Sequence, residues 1–454
     1  MSAAGRPDLE SIINRGGTSR LQTLIIAICT AVMIVDGFDT QLISFAAPAI
    51  AASWQVPPAS FGFVFAIGLF GGLIGAITSG VIADRIGRKP TLLITVLLFG
   101  LASLATPLAG SMATLGFIRF ITGLGVGGAL PGAIAIAAEY APKRARATVA
   151  AITFCGIPLG SVIGSVLSSQ LIPAYGWQSV FIVGGLLPLL LVPLVVVCVP
   201  ESIRFLALRQ DREAITKLLT RMGVAEEEAA RVEISSDAEP PRAPVRSLFT
   251  EGRALGTTLL SLALFLTLLM AFLIVNWIPT LATQSGIGTS AAILGVAALN
   301  IGGIVGALVI SRISLRRPQG MVISLFYALG AVGIAAVGQA GSSGTWLLVS
   351  AFLAGFFAIG AQMCTVSLLA IYYDTRLRAT GVGWAMGCGR IGGIIGPVIG
   401  GSLLAASIGM GAIFAVAGLV CVACAVTVFA IGRFVLRTAS DDTARPGLAA
   451  ESAA

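Results

Sequence analysis

Four ionisable residues lie inside long apolar stretches of this chain. They are Asp36, Asp39, Arg119 and Arg390. A charge near the middle of a bilayer costs at least about 2.5 to 3.5 kcal/mol on insertion scales, so such residues commonly line a substrate or ion pathway. Their types define the available chemistry, because carboxylates can carry protons and a guanidinium can bind a carboxylate through two parallel hydrogen bonds.

The two aspartates are the predicted proton carriers. Asp36 and Asp39 are separated by nearly one helical turn, so both side chains project from nearly the same face of a helix. Close carboxylates repel each other and titrate as a pair, which leaves one of them able to hold or release a proton near neutral pH. The chain contains no histidine to take that role. The alternative is a structural charge network with Arg119.

Arg390 is the predicted anchor for an anionic substrate. It lies about 15 Å beyond Thr380 along a helix, too deep to reach the membrane interface easily, and should face a cavity. A partner aspartate within the protein is the alternative, and Arg119 fits that alternative better. Other side chains near this depth could clasp an aromatic ring, although a membrane tryptophan is more often an anchor or a core filler. The full predicted substrate-binding set is Arg390, Arg119, Asn276, Trp277, Gln362 and Trp384.

The elements that position these residues are predicted to be membrane helices. Hydrophobic residues make up 57% of the chain and charged residues 11%, which excludes an ordinary water-soluble protein. The net charge of +8 does not predict nucleic-acid binding, which requires a soluble basic face. Twelve apolar runs can cross a hydrocarbon core of about 30 Å: 21–52, 61–83, 91–110, 113–138, 147–172, 179–199, 257–281, 290–311, 320–340, 346–372, 380–406 and 410–435.

Basic residues lie on one side of these predicted helices. Apart from Arg119 and Arg390, all Lys and Arg residues lie in the tails, in the even-numbered loops or at their borders. The positive-inside rule then predicts a multi-pass protein of the cell inner membrane with both termini in the cytoplasm. The predicted domains are a cytoplasmic N-terminal tail (1–20), an N-terminal six-helix bundle (21–199), a cytoplasmic linker (200–256), a C-terminal six-helix bundle (257–435) and a cytoplasmic C-terminal tail (436–454). Within the linker, residues 204–222 have the apolar spacing of an amphipathic helix, which we expect on the membrane surface.

A repeated sequence pattern indicates that the two bundles are homologous. Arg144 to Thr148 read R-A-R-A-T and Arg376 to Thr380 read R-L-R-A-T, and both segments lie between apolar runs. Such repeats are typical of transporters that bind substrate at the interface of two similar bundles. Glycines at small-x-x-x-small spacing, such as Gly160 and Gly164, predict close helix contacts, either as static packing or as surfaces that slide.

The loop after the second predicted helix reads G-V-I-A-D-R-I-G-R-K-P, from Gly80 to Pro90. Asp84 could bind the positive end of a neighbouring helix in one conformation while the arginines pair with carboxylates, which would form a breakable latch. The corresponding loop of the second half keeps the basic residues but lacks the aspartate. The predicted gating residues are Asp84, Arg85, Arg88, Lys89, Arg144, Arg146, Arg376 and Arg378.

No metal site or cofactor is expected. All seven cysteines lie in apolar stretches, and Cys421 and Cys424 form a lone C-x-x-C without a second pair. A metal site would need further ligands, so packing of small residues on a helix is favoured. The expected energy source is the proton gradient.

The motifs resemble the major facilitator superfamily over nearly the whole chain. Gly80 to Lys89 matches the signature loop G-x-x-x-D-R-x-G-R-K, R-F-I-T-G-L-G-V-G from Arg119 resembles the fourth helix, and P-E-S-I-R-F-L from Pro200 resembles the segment after the sixth. The resemblance implies an all-α membrane protein with twelve transmembrane helices in two pseudo-symmetric six-helix bundles. It also implies gating by Asp84 with Arg88.

Two further motifs are similar to those of aromatic acid:proton symporters within this superfamily. They are D-G-F-D at Asp36 to Asp39 and N-W-I-P-T at Asn276 to Thr280. The resemblance implies proton-coupled import of a benzoate, hydroxybenzoate or related acid, with Asp36, Asp39, Arg119 and Arg390 in transport and coupling. We expect the protein to function as a monomer.

Other functions remain open at this stage. Within the superfamily, the substrate could instead be muconate, a dicarboxylate or a sugar. Drug antiport is disfavoured because G-P-V-I-G-G, which resembles an antiporter motif of the fifth helix, begins at Gly396 on the eleventh. A polytopic membrane enzyme or receptor is disfavoured because the sequence offers no histidine, metal-ligand cluster, nucleophile–base pair or soluble output domain.

Overall fold

The computed structural model describes residues 19–230, 232 and 243–435. Their regular structure is helical throughout, and these residues form no strand. Twelve helices are long and apolar enough to cross a membrane. We number them spans 1 to 12: Arg20–Trp54, Pro58–Ile86, Arg88–Leu108, Met112–Glu139, Arg146–Tyr175, Gln178–Cys198, Ala254–Gln284, Thr289–Ser314, Gln319–Val337, Gly344–Tyr372, Arg376–Ala405 and Met410–Val435. The all-α, twelve-span prediction is confirmed, and the chain is an integral membrane protein.

Contacts divide the chain into two compact units. Of the described residues, the first unit contains 19–46, 67–230 and 232, and the second contains Ala47–Ala66 and 243–435, so the boundary falls within the linker. The predicted division at the linker differs from this one at residues 47–66, which group with the second unit. The predicted tails, apart from residues 19 and 20, and linker residues 231 and 233–242 lie outside the described residues.

Polar caps define several of the helix ends. Ser19 and Gln22 cap span 1 reciprocally: the Gln22 backbone N–H donates to Ser19 Oγ at 3.2 Å, and the Ser19 N–H donates to Gln22 Oε1 at 2.7 Å. Ser111 at span 4 and Ser343 at span 10 accept a hydrogen bond from the backbone N–H three residues on. These side chains satisfy N–H groups that a helix cannot bond internally.

Glycine allows the first and fifth spans to meet backbone to backbone. A Cβ atom at Gly160 would lie 1.8 Å from the Ile34 carbonyl oxygen, and one at Gly37 would lie 2.1 Å from the Ile157 carbonyl oxygen. Both distances are far below van der Waals contact, so a larger residue cannot be accommodated without moving a helix. The predicted close helix contacts are confirmed, and they fix the stretch of span 1 that carries the aspartates.

The linker differs from its prediction. Two short helices, Ile203–Leu208 and Arg212–Arg221, replace the single amphipathic helix. Asp211 separates them by capping the second, since its Oδ1 accepts from the Ala214 N–H at 3.0 Å. Ile215 and Leu219 are buried against other linker residues, and Leu218 belongs to the core of the first unit. These three side chains therefore pack inside the protein and do not face a membrane surface, whereas Leu208 of the first short helix is exposed.

Candidate functional site

Asp39 and Arg119 form a buried ion pair in the first unit. Arg119 Nη1 lies 3.8 Å from Asp39 Oδ2, and the two residues are 3% and 1% exposed. This separation is too long for a direct hydrogen bond. Within the described part of the chain, neither Asp39 oxygen has a hydrogen-bond partner, although the Ser103 hydroxyl lies beside the carboxylate. The interaction between Asp39 and Arg119 is therefore a charge attraction without a hydrogen bond.

The Arg119 guanidinium is held on its other sides by two uncharged groups. Its Nη2 donates a hydrogen bond to the Thr106 hydroxyl oxygen. Its Cζ lies over the Phe181 ring, 5.0 Å from the centroid, which is cation–π geometry. Thr106 lies near the end of span 3 and Phe181 near the start of span 6, so spans 1, 3 and 6 together fix the position of this one charge.

Asp36 is buried on the same helix and has its own hydrogen bond. The Thr40 hydroxyl donates to Asp36 Oδ1 at 3.3 Å, within span 1. Asp36 lies close to the midpoint of its helix, as predicted from the apolar run. The two predicted proton carriers therefore differ, since Asp36 accepts a hydrogen bond and Asp39 faces a cation.

Arg390 lies at the midpoint of the helix Thr375–Ala405 in the second unit, about 22 Å from either end at the helical rise. It is half-buried. The neighbouring Gly392 packs on span 7, where an added Cβ would lie 2.1 Å from the Phe265 carbonyl oxygen. Arg390 is thus presented at mid-membrane depth beside a closely packed helix face, which agrees with its predicted depth.

The two tryptophans of the predicted substrate set lie in different environments. Trp277 is fully buried, its Nε1 donates to the Pro397 carbonyl at 3.1 Å, and its ring meets Phe65 edge-on. Trp384 is exposed and meets Phe249, a residue of the linker, at 5.8 Å between ring centroids. Trp277 therefore joins spans 7 and 11 together, and Trp384 lies nearer the linker than Arg390 does.

The two amides of the set also differ in exposure. Asn276 is 4% exposed on span 7, next to Trp277. Gln362 is half-buried on span 10 and follows a widened π-helical turn, Gly355–Ile359. Turns of this kind often occur at functional sites. Gln362 is therefore the better placed of the two amides for contact with a ligand.

The loop between spans 2 and 3 is fastened to the end of span 4 and to the start of the linker. Arg88 forms an ion pair with Glu139, whose second oxygen accepts from the Ser202 hydroxyl at 2.6 Å. Glu201 Oε1 accepts from the backbone N–H groups of Arg88 and Lys89 at 2.8 and 3.1 Å. The Glu201 carboxylate thus binds the positive end of span 3, which is the kind of interaction predicted for Asp84 at a neighbouring helix.

Gly87 makes this arrangement possible. Its φ is +104°, a conformation that favours glycine, and a Cβ there would lie 2.3 Å from Glu201 Oε2. Asp84 and Arg85 are exposed, and the Arg85 carbonyl accepts from Arg209 Nη2 at 2.7 Å. The structure therefore brings Arg88, but not Asp84, into a charge network.

Of the remaining predicted gating residues, Lys89 lies near span 6, and the arginines lie in the two repeated R-x-R-A-T segments. Lys89 Nζ donates to the Val196 carbonyl at 2.7 Å, and Arg378 Nε donates to the Tyr373 carbonyl at 3.2 Å. Arg144 and Arg376 are exposed, and Arg146 is half-buried.

A tyrosine lies four residues before the repeated R-x-R-A-T segment in each half of the chain. The Tyr140 hydroxyl donates to the Glu201 carbonyl at 2.6 Å, and the Tyr372 hydroxyl donates to the Arg253 carbonyl at 3.1 Å. Burial, followed by the nearby carboxylates Glu139 and Glu201, raises the pKa of Tyr140 far above its usual value, so it stays a neutral donor. The chain at the ends of spans 4 and 10 is thus hydrogen-bonded to the linker.

Sequence analysis missed Glu139, Glu201, Thr106 and Phe181. Glu201 stands in the P-E-S motif and Glu139 directly precedes the repeated tyrosine, so their positions at helix ends were a usable signal. Thr106 and Phe181 gave no such signal, because a threonine and a phenylalanine in apolar spans are common. Among the described residues, no group of His, Cys, Asp or Glu could hold a metal ion.

Twelve membrane-crossing helices that bury ionisable side chains at mid-helix define a membrane transporter. The model of the Major Facilitator Superfamily matches residues 29–397, and the chain belongs to this family. The predicted family resemblance is confirmed.

Relatives and solved structures agree with this assignment. The chain is 39% identical over 438 residues to a gallate transporter of Pseudomonas putida, covering 96% of this chain and 98% of the relative. It is 38% identical over 402 residues to the 4-hydroxybenzoate transporter PcaK of the same organism, covering 87% and 89%. The E. coli xylose transporter XylE, in a partially occluded inward open conformation, is similar with a TM-score of 0.69 and 19% identity, covering 92% and 98%. The last likeness shows the fold.

Proposed function

We propose that this protein is a symporter that imports a small aromatic carboxylate, such as a benzoate or hydroxybenzoate, together with protons. Similarity to gallate and 4-hydroxybenzoate transporters supports the substrate class. The proton gradient would drive transport without a cofactor, across the cell inner membrane and in a monomer. Both termini would be cytoplasmic, because basic residues favour that side.

The single observation that carries proton coupling is the state of Asp39. Its carboxylate is buried, accepts no hydrogen bond from the described residues and has its positive neighbour at 3.8 Å. An ionised carboxylate in such surroundings is only partly compensated, so adding a proton removes much of the cost of burial. Asp39 would therefore be the main proton carrier. The charge of Asp36, one turn away, would influence how readily Asp39 binds a proton.

Binding of the substrate carboxylate is assigned to Arg390. A guanidinium at the middle of a membrane helix favours an anion, which it can hold through two hydrogen bonds. Gln362 and Asn276 would orient ring hydroxyl groups. Trp277 would act by packing, since a ligand could reach its indole only if spans 7 and 11 separated.

Gating would involve the network around Arg88. The ion pair with Glu139 and the bonds to Glu201 fasten the ends of spans 3 and 4 to the linker. During a transport cycle such a network can break and reform as helices move. Asp84 and Arg85, together with Arg144, Arg146, Arg376 and Arg378, would form the exposed part of the gate.

Uptake into proteoliposomes tests this function. Gallate, 4-hydroxybenzoate, benzoate and xylose are offered with an acidic exterior, and then with no pH gradient. We expect accumulation of an aromatic acid that collapses when a proton ionophore is added, and no accumulation of xylose. Accumulation of xylose instead, or uptake that does not depend on the pH gradient, would overturn the proposal.

Variants separate the two parts of the proposal. Asp39→Asn should abolish gradient-driven accumulation but keep substrate exchange across the membrane, because the neutral amide imitates the protonated acid. Asp211→Asn, at an exposed position where asparagine can also cap the linker helix, is the matched control and should behave as the unmodified protein. Full accumulation by Asp39→Asn would show that protons travel by another route.

A further inference from the structure

Thr106 contacts Arg119 of the Asp39–Arg119 pair, and the mechanism proposed above gives Thr106 no role. It is fully buried where span 3 tightens into a 3-10 turn, Thr106–Leu108. Its hydroxyl donates to the Ala102 carbonyl at 3.1 Å, which commits its only hydrogen. The lone pairs of its oxygen are then left to accept from the Arg119 guanidinium, and they do so.

This hydrogen bond competes with the ion pair. A guanidinium can make two parallel hydrogen bonds to a carboxylate, yet Arg119 makes none to Asp39, and its Nε has no partner within the described chain. Instead, Nη2 is bonded to Thr106 and the Phe181 ring holds the planar face. The guanidinium is thus restrained by two groups other than the carboxylate, and one of them occupies the second terminal nitrogen.

We propose that Thr106 is a positioning residue for proton coupling: its hydroxyl holds the Arg119 guanidinium short of hydrogen-bonding contact with Asp39. This inference rests on the proposed function of Asp39 as a proton carrier. A carboxylate bonded twice to a guanidinium would be locked in its ionised form, whereas one that is only attracted at 3.8 Å can still exchange a proton.

The other groups around Asp39 do not explain why the Arg119 guanidinium stays short of hydrogen-bonding contact. Ser103, one turn before Thr106, lies beside the carboxylate and is uncharged. Span 5 presents glycines to this part of span 1, including Gly164 against Phe38. Among the described charged and titratable groups, Arg119 faces Asp39 from span 4 and Asp36 lies one turn away on the same helix.

The test compares Thr106→Val with Thr106→Ser. Valine keeps the shape of threonine but cannot accept a hydrogen bond, whereas serine can. Gradient-driven uptake of the best-transported acid among gallate, 4-hydroxybenzoate and benzoate is measured as a function of external pH. For Thr106→Val we expect half-maximal uptake to move to lower external pH by about one unit, a tenfold higher proton activity. Thr106→Ser should keep the original profile.

Two further measurements make each outcome decisive. Substrate exchange at acidic pH shows that Thr106→Val is folded and binds substrate, and the double variant Thr106→Val, Asp39→Asn should show no pH dependence beyond that of Asp39→Asn alone. An unchanged pH profile in active Thr106→Val overturns the inference and leaves the proposed function intact. If Asp39→Asn accumulates substrate, the proposed proton carrier and this inference both fail. Loss of exchange in Thr106→Val at every pH would show a structural role and also overturns it.

Discussion

Arg88 and Glu139 form an ion pair that joins the start of span 3 to the end of span 4. Both side chains are largely shielded from solvent, and the Ser202 hydroxyl donates to the second Glu139 oxygen. Removing one partner of a shielded pair leaves the other charge poorly solvated, which costs more than the loss of an exposed pair. This relationship therefore carries a prediction for stability and another for the transport rate.

We expect Glu139→Gln to lower the free energy of unfolding by about 1.5 to 3 kcal/mol and to slow transport several-fold with little change in KM. Thermal unfolding in detergent and uptake kinetics measure the two effects. Glu213→Gln is the control, because Glu213 is exposed on a linker helix. Equal behaviour of the two variants would mean that the ion pair contributes nothing.

The depth of the ionisable residues was predictable from the sequence. Asp36 and Arg390 lie near the midpoints of their helices because the length of an apolar run sets which residue reaches the middle of the bilayer. Close contacts around Gly160 were predictable for a related reason, since only small residues let two backbones meet.

The partners of these residues were not predictable in the same way. Which group Arg119 meets depends on the rotation of spans 3, 4 and 6 about their axes, and apolar composition all round a helix does not define that rotation. Thr106 and Phe181 were missed for this reason. Glu201 binds the start of span 3 because the chain after span 6 returns there, a long-range contact that spacing within one loop does not reveal.

A methyl group at Gly160 should disrupt the packing of spans 1 and 5. The added Cβ would lie 1.8 Å from the Ile34 carbonyl oxygen, so Gly160→Ala must displace a helix. Overpacking of this kind costs about 1 to 3 kcal/mol, which should lower the unfolding temperature or the folded yield. Gly132→Ala in span 4, where the nearest atom would be 4.0 Å away, should be tolerated. Equal stability of both variants would contradict the observed helix contact.

Tyr140 predicts a loss of stability at alkaline pH. Burial and two carboxylates raise the pKa of the folded tyrosine above its unfolded value of 10.0. Stability from the neutral hydroxyl is therefore complete below pH 10 and falls as pH rises further, because the unfolded tyrosine ionises first. Tyr140→Phe should be less stable than the original protein near neutral pH, and this difference in stability should shrink above pH 10. Unfolding temperatures are measured from neutral pH to above pH 10, with Tyr175→Phe as a peripheral control. A difference between Tyr140→Phe and the original protein that stayed constant over this range would contradict the argument.

Trp277 should act through packing. Trp277→Phe keeps most of the apolar contact but loses the hydrogen bond to the Pro397 carbonyl, worth about 1 kcal/mol. We expect a lower unfolding temperature and an unchanged KM for substrate. A KM that rises tenfold with unchanged stability would instead make this indole part of the binding surface, as the sequence had suggested.

Arg390 provides the most direct measure of substrate binding. Replacing it by alanine removes both hydrogen bonds to a substrate carboxylate, and a charged hydrogen bond contributes about 1.5 to 3 kcal/mol. At the lower figure two such bonds give about 3 kcal/mol, so the KM should rise about 100-fold or more, since each 1.4 kcal/mol corresponds to a factor of about ten. Arg390→Lys keeps the charge but loses the two-pronged geometry, so its KM should fall between those of the alanine variant and the original protein. Arg317→Ala, at an exposed position between spans 8 and 9 and outside the proposed site and gate, is the control. If Arg390→Ala transports with the original KM, the carboxylate is bound elsewhere, and the polar side chains around Gln362 become the next residues to test.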